Sequence, residues 1–284
     1  MAMQVMMVGA TGRHAHWVLE ELLARGVAVR ALAHSEESAE IARRNGASEA
    51  VIGDLNEPES LAGAVDGMEG VFHIGPGFAP DEAAMGVAMA DAARRAGEKK
   101  FVFSGVIHPA ITAMVNHAAK LPVEEALYTS GMDFTVLQPA VFMQNLEMNW
   151  DEIIKRGRLS MPYSVSSKLC WVDYRDVAEV AAMAMTGDEL SYGTFELCAP
   201  GLLDLTEIAA VASSAFGRQV DANESSSAQT ASWLPEGRLR DGMSAMIAHY
   251  DHYGLPGGNP LVLRAILGRE PRTLDNFFHE LASR

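Results

Sequence analysis

The chain has 284 residues, 49% hydrophobic and 21% charged, which is enough apolar material for one large domain, or a large domain with a smaller lobe, and excludes a disordered chain. A formal net charge of −15 repels nucleic-acid phosphate, and no local cluster of Lys or Arg among aromatics offsets it, so neither DNA nor RNA is an expected partner. Residues 1–8 run into an apolar stretch with no basic leader and no span-length segment, which points to a cytoplasmic protein without membrane contact.

In chain order, short apolar runs alternate with amphipathic segments closed by glycine. A strand over 4–8 precedes a helix over 13–25 closed by Gly26, and a strand over 27–33 precedes a helix over 36–45 closed by Gly46. A third strand is expected over 50–52, followed by Gly53-Asp54 and a short helix near 61–65. A fourth, over 71–74, is broken by Gly75-Pro76-Gly77, and a long Ala-rich helix with Asp81 as N-cap runs to Arg95. A fifth strand over 100–103, a helix over roughly 114–129 and a sixth strand over 134–137, stopped by Gln138-Pro139, complete the series. Strands that are apolar on both faces belong in a parallel sheet covered by helices. The expected fold class is therefore α/β, a Rossmann-type doubly wound parallel sheet over residues 1–140 with a smaller C-terminal α/β lobe over 141–284, the chain being free to cross between them.

In the second lobe the pattern predicts a helix over 177–185, a strand over 194–197, a helix capped by Thr206, a strand near 218–222 and a terminal helix from about Leu274. Ser225-Ser226-Ser227 and the stretch from Gly254 to Asn259 read as surface loops. Ligands of such sheets bind at the carboxyl ends of the strands, so a small-molecule substrate is expected between the lobes. Cys170 and Cys198, far apart in sequence and in apolar surroundings, suit buried core fillers better than a disulfide, a metal site or a nucleophile. No histidine shows ligand spacing with Cys, Asp or Glu, so no metal is expected.

The run from Val5 through Gly9-Ala10-Thr11-Gly12-Arg13-His14-Ala15 is a strand, a glycine turn and a helix start in the first unit of an alternating fold. Gly9 permits the tight turn, Gly12 lets a pyrophosphate approach the backbone, and the helix N-terminus offers unpaired N–H groups and partial positive charge. Ala15 stands at the third glycine position, which tolerates it. The bland alternative is an ordinary strand-to-helix turn, which the flanking strand and helix disfavour. A carboxylate ending the second strand would bind the ribose of NAD, and a basic residue the 2′-phosphate of NADP; this strand ends Ala33-His34-Ser35 and has neither. Arg13, His34 and Ser35 are the groups available to a 2′-phosphate, which favours NADP and leaves NAD open, although Arg13 reads equally as a solvated first-turn residue.

Gly9 to Ala15, Val29-Arg-Ala-Leu-Ala-His-Ser35, Gly53-Asp-Leu55, Asn116-His-Ala-Ala-Lys120, Val123-Glu-Glu-Ala-Leu127, Leu137-Gln-Pro-Ala140 and Asp173-Tyr-Arg-Asp-Val-Ala178 together resemble the NmrA-like group of atypical short-chain dehydrogenases/reductases, over essentially the whole chain. The resemblance implies a Rossmann lobe, a smaller C-terminal lobe and a bound NAD(P). It does not imply one activity, since the group includes reductases of quinones, triphenylmethane dyes and phenylpropanoid ethers as well as regulators that sense cofactor redox state. It also implies that Asp54 and Leu55 flank the adenine, that Ile74, Gly75 and Pro76 pass under the nicotinamide ribose, and that Gln138, Pro139, Ala140 and Val141 line the nicotinamide pocket.

Short-chain dehydrogenases usually carry Tyr and Lys four residues apart, presenting an acid and a cation to one cofactor edge. Here Lys120 is preceded at that spacing by Asn116, whose amide cannot donate a proton as a phenol does. Lys120 is the leading candidate, as ribose holder or as acid or base. His117 is a second proton donor, with a packed histidine as its alternative. Ser104, ending the fifth strand, reads as an active-site hydroxyl or as a serine satisfying local backbone. His108 faces the crevice or solvent; Met143, Trp150, Tyr163 and Trp171 read more readily as core than as an acceptor wall; and Arg175-Asp176 reads as capping and lobe-to-lobe ion pairing. The expected function is an NAD(P)H-dependent reductase acting on a small carbonyl, quinone, imine or conjugated acceptor. The alternative is a non-catalytic redox-sensing binding module, and homodimerisation is left open.

Overall fold

The structure, a computed structural model, describes residues 2–97, 99–225 and 236–283. The chain forms two compact units: Met1–Ile111, Asn116–Gln138 and Val177–Phe195 make the first, and Thr112–Val115, Pro139–Asp176 and Glu196–Arg284 the second.

The first unit is built from β1 (Gln4–Val8), α1 (His16–Ala24), β2 (Ala28–Ala33), α2 (Glu36–Arg44), β3 (Glu49–Ile52), α3 (Pro58–Val65), β4 (Gly70–His73), α4 (Glu82–Ala96), β5 (Lys100–Ser104), α5 (Val115–Ala118), α6 (Leu121–Tyr128) and β6 (Asp133–Pro139). Later in the chain α8 (Tyr174–Thr186) and β10 (Gly193–Leu197) contribute to it. The sheet order is β10-β6-β5-β4-β1-β2-β3, and every ladder from β6 to β3 is parallel. The chain winds outward from β1 to β3 and then restarts at β4 on the other side of β1, which makes the carboxyl ends of β1 and β4 the topological switch point. Val5 to Val8 are buried because β1 has a strand on each side and helices over both faces. Met6, Val8, Val71, Phe101, Phe103 and Val136 form one core with the inner faces of α3, α4 and α6. From the opposite face, Met185 of α8 meets β4 where Gly70 lacks a side chain: a Cβ there would stand 2.6 Å from its sulfur.

Two helices differ from the periodicity, each for a local reason. The helix predicted from residue 13 begins at His16, because the Gly12 amide donates to the Gly9 carbonyl at 2.8 Å and this turn takes up the residues before it. The single helix predicted over 114–129 is two: Pro122, in the first turn of α6, has no N–H for the preceding helical turn and its ring crowds that carbonyl. Lys120 therefore sits at the joint. Close approach of α4 and α6 depends on Gly86, where a Cβ would stand 2.4 Å from Val123 Cγ2.

The second unit contains a three-stranded sheet of β7 (Val141–Phe142), β9 (Leu169–Val172) and β11 (Leu202–Leu203), with β9 central, and a parallel pair of β8 (Arg158–Met161) and β12 (Asp221–Glu224). A 3₁₀ helix (Met143–Asn149), α7 (Trp150–Arg156), α9 (Leu205–Phe216), α10 (Arg238–Tyr253), α11 (Leu261–Leu267) and α12 (Leu274–Ala282) surround them. The cap of α9 is Asp204, not Thr206: its carboxylate accepts from the Glu207 amide at 2.9 Å, and Glu207 returns the bond to the Asp204 amide at 2.9 Å. The Gly254–Asn259 stretch is only partly a surface loop, since Gly254 and Leu255 are buried and Leu255 exchanges backbone bonds with Lys168 and Cys170. Of the serine run, Ser226 and Ser227 lie outside the described residues. Cys170 and Cys198 are buried and free; the Cys170 thiol donates to the Pro256 carbonyl at 3.3 Å, and despite their sequence separation both sulfurs lie close to Gly257. Met143, Tyr163 and Trp171 are core, with Tyr163 edge-on to Tyr250 at 5.8 Å.

Arg175 and Asp176 pair inside this unit, a correction to the lobe-to-lobe ion pairs expected of them. Asp173 caps α8, accepting the Arg175 amide at 2.9 Å and Gln144 Nε2 at 2.7 Å, and Arg175 bridges Asp173 to Glu280. Asp176 receives Arg269, the Arg272 amide and the Arg272 guanidinium. The reason is chain order: the segment between α11 and α12 returns beside the start of α8 and carries both arginines.

Candidate active site

Gly9 follows β1 with φ +86°, and a Cβ there would stand 2.6 Å from Ile74 Cγ2 and 3.0 Å from the Ile74 carbonyl at the end of β4. The two lips of the switch point thus touch through a missing side chain. Gly12 and Arg13 beyond it are exposed, Ala10 is buried, and α1 has neither a side-chain cap nor an acidic residue in its first turn. An uncapped helix N-terminus behind a glycine turn is a receptor for an anion, and these residues fit a dinucleotide pyrophosphate. Gly9→Val is expected to weaken NADPH binding at least about tenfold, because a β-branched residue at this φ is strained and clashes with Ile74; titration followed by nicotinamide fluorescence checks it.

Further along the second lip, His73, Gly75, Glu82, Phe103, Ala119, Lys120 and Val123 line one recess. Lys120 and Glu82, both buried, form an ion pair, and Glu82 Oε2 also accepts the Phe78 amide at 3.0 Å. That amide belongs to a non-glycine residue with φ +65°, so the carboxylate also secures the loop entering α4. His73 is 1% exposed and its Nδ1 makes no hydrogen bond to a described protein group. Burial, and after it the Lys120 ammonium, lower its pKa to about 3, so the ring is neutral at physiological pH.

His117 is buried, and its Nδ1 donates to the His108 carbonyl at 3.2 Å. That carbonyl also accepts the Ile111 amide at 3.0 Å, which together hold His108 at φ +53°. Ser104 ends β5, opposite Leu137 in register; its Oγ is buried and makes no hydrogen bond to a described protein group. Of the other cofactor candidates, Thr11 and His34 are exposed and His14 half-buried, while the Ser35 hydroxyl is committed to capping α2, accepting the Ser38 amide at 3.2 Å. Asp54 is exposed and turns the chain by accepting the Asn56 amide at 2.8 Å, with Leu55 packed on the core. Pro76 is exposed beside Gly75. Pro139, Ala140 and Val141 open the second unit, where Val141 pairs with Trp171 in the β7–β9 ladder. Glu82 and His73 were not singled out in the sequence. The signal available was Gly86, a glycine in an Ala-rich helix that marks where α4 is closely approached.

A doubly wound sheet with a glycine turn at its switch point defines a Rossmann-type nucleotide-binding protein. Residues 1–278 match the model of the NmrA-like family, and the chain belongs to that family. It is 32% identical over 279 residues to the NAD(P)H azoreductase of Xenophilus azovorans, covering 96% of each chain. Its fold is that of the NADPH-dependent quinone oxidoreductase of Escherichia coli solved with NADPH (TM-score 0.83, 22% identity, 98% and 99% of the two chains). It is likewise that of NmrA, a negative transcriptional regulator solved with NAD (TM-score 0.78, 20% identity, 99% and 96%). Among the described residues no helix is long and apolar enough to cross a membrane.

Proposed function

We infer that this chain is an NAD(P)H-dependent reductase of the atypical short-chain type, preferring NADPH with NADH open, and acting on a small carbonyl, quinone, imine, azo or conjugated acceptor. The observation that carries the reading is the buried Lys120 ammonium beside Gly75, on the lip of the switch point next to the glycine turn. The similarity to an NAD(P)H azoreductase over nearly the whole chain supports it. Bound NAD(P)H supplies the hydride. The Gly9–Gly12 turn and the N-terminus of α1 hold the pyrophosphate, and Arg13 and His34, exposed near strand ends, meet the 2′-phosphate. Ile74, Gly75 and Pro76 flank the nicotinamide end. Lys120 holds the ribose, and the proton comes from Lys120, from His117 or through water, with the unpaired Ser104 hydroxyl available to orient the acceptor. The reading places the protein in the cytoplasm, where free thiols such as Cys170 and Cys198 persist.

The test is NADPH and NADH oxidation, followed by absorbance, against a panel of quinones, azo dyes, aldehydes, ketones and cyclic imines. Lys120→Ala is expected to lower kcat/KM about 100-fold, the scale of a lost proton-transfer or charge-stabilising group. Asn116 at the usual Tyr position favours a second reading, a redox-sensing module without turnover. That reading becomes the account if the wild type binds cofactor, distinguishes its oxidised and reduced forms, and reduces nothing on the panel.

A further inference from the structure

We propose that Glu82 is the positioning residue of this site: its carboxylate fixes the Lys120 ammonium beside Gly75, so that Lys120 acts as a standing cation toward the cofactor ribose and the developing charge of the reaction. The inference rests on the reductase reading for its kinetic meaning and on the structure for its geometry. Glu82 lies in the first turn of α4, where the helix dipole favours a carboxylate. It is 3% exposed, and both its oxygens are engaged, Oε1 by Lys120 and Oε2 by the Phe78 amide at 3.0 Å. An ammonium has three N–H donors; Glu82 takes one, which leaves two for ribose hydroxyls. Gly86, one turn further along α4, permits the contact with Val123 that brings the two side chains to one recess. Gly75 lies close against two side chains of that recess, since a Cβ there would stand 3.4 Å from His73 Nε2 and 3.7 Å from Glu82 Cγ.

The titratable groups around Lys120 leave this task to Glu82. On β4, His73 is a neutral ring next to the ammonium and offers it no charge. On α5, His117 Nδ1 is bound to the His108 carbonyl. On α6, the Glu124 carboxylate accepts from Gln138 Nε2 at 2.9 Å and from the Tyr128 hydroxyl at 3.1 Å. A buried ammonium deprived of its anion loses its proton more readily and wanders among rotamers.

The experiment compares wild type with Glu82→Gln, which has the same shape and keeps an oxygen for the Phe78 amide. Expected are a fall in kcat of about tenfold with a smaller change in the KM for NADPH, and a decline in rate from pH 7 to 9 steeper than that of the wild type. Glu82→Asp, with the charge retained on a shorter arm, is expected to restore part of the rate and the wild-type pH dependence. In a Lys120→Met background, Glu82→Gln is expected to have no further effect on kcat, because a residue acting through Lys120 has nothing left to position. Equal kcat, KM and pH dependence in wild type and Glu82→Gln overturn the proposal, as does an undiminished effect in the Lys120→Met background. If the wild type reduces no acceptor, the reductase reading has failed and Glu82 is judged on NADPH binding alone: weaker binding in Glu82→Gln that steepens above pH 7 upholds it, and matching affinities overturn it.

Discussion

Lowering the pH from 7 to 5 is expected to cost the folded chain about 2 kcal/mol through His73 alone. The imidazole is enclosed at the end of β4, with its ring 6.2 Å from Phe101 and 5.9 Å from Phe103. Burial first, and Lys120 second, bring its pKa from 6.5 to about 3. The unfolded chain takes up this proton near 6.5 and the folded one only near 3. Between those values the unfolded state binds one proton more, so stability falls as pH falls, by roughly 1.4 kcal/mol per unit. The contribution is intact above the unfolded value and gone once the pH has passed below the folded one. Urea midpoints of wild type and His73→Leu between pH 7.5 and 4 check this. The leucine variant, which removes an unpaired buried polar atom, is expected to be at least as stable at pH 7 and to lose the slope between pH 6 and 4.5; parallel slopes would acquit His73. Asp173 adds a later fall. Burial pushes its carboxyl up, but the Arg175 guanidinium, the Arg175 amide and Gln144 outweigh it and hold the pKa below the usual range. Its contribution is therefore present above pH about 4 and is lost as the pH drops through the lowered folded value.

Asp176→Ala is expected to destabilise the protein by about 3 kcal/mol. The carboxylate is fully buried at the start of α8 and receives Arg269 at 2.9 Å, the Arg272 amide at 2.7 Å and the Arg272 guanidinium. Its removal strands two cations and an amide around a cavity. Arg269 and Arg272 are about a third exposed, so water recovers part of their solvation and the cost stays at the lower end for a broken buried pair. Arg269→Ala, which leaves Arg272 in place, is expected to cost less than half as much. Chemical denaturation of both variants at pH 7.5 checks the ranking, and an Asp176→Ala midpoint within error of the wild type would show the network to be idle.

The amino-acid order by itself determined the first unit to within a residue or two at most element ends, because β1, β4 and β5 are buried, largely apolar runs and α1, α2 and α4 are each closed by a positive-φ glycine, Gly26, Gly46 and Gly97. It also carried the glycine turn, since tight turning and close backbone approach demand specific residues at specific spacing. It was less informative for the second unit, where two-residue strands such as β7 and β11 have no period to read, and for the break at Pro122 between α5 and α6. Only the tertiary structure decided the partners of the charged residues. Glu82 and Lys120 are 38 residues apart, Asp176 and Arg272 are 96 apart, and the two cysteines, one on β9 and the other just past β10, both come close to Gly257. Local sequence governs backbone propensity over a turn or two, whereas an ion pair across such distances exists because helices return to one place and a glycine lets them close. Lys120 could be named from its chain neighbours; that it stands against Glu82 and a neutral His73 is a property of the fold.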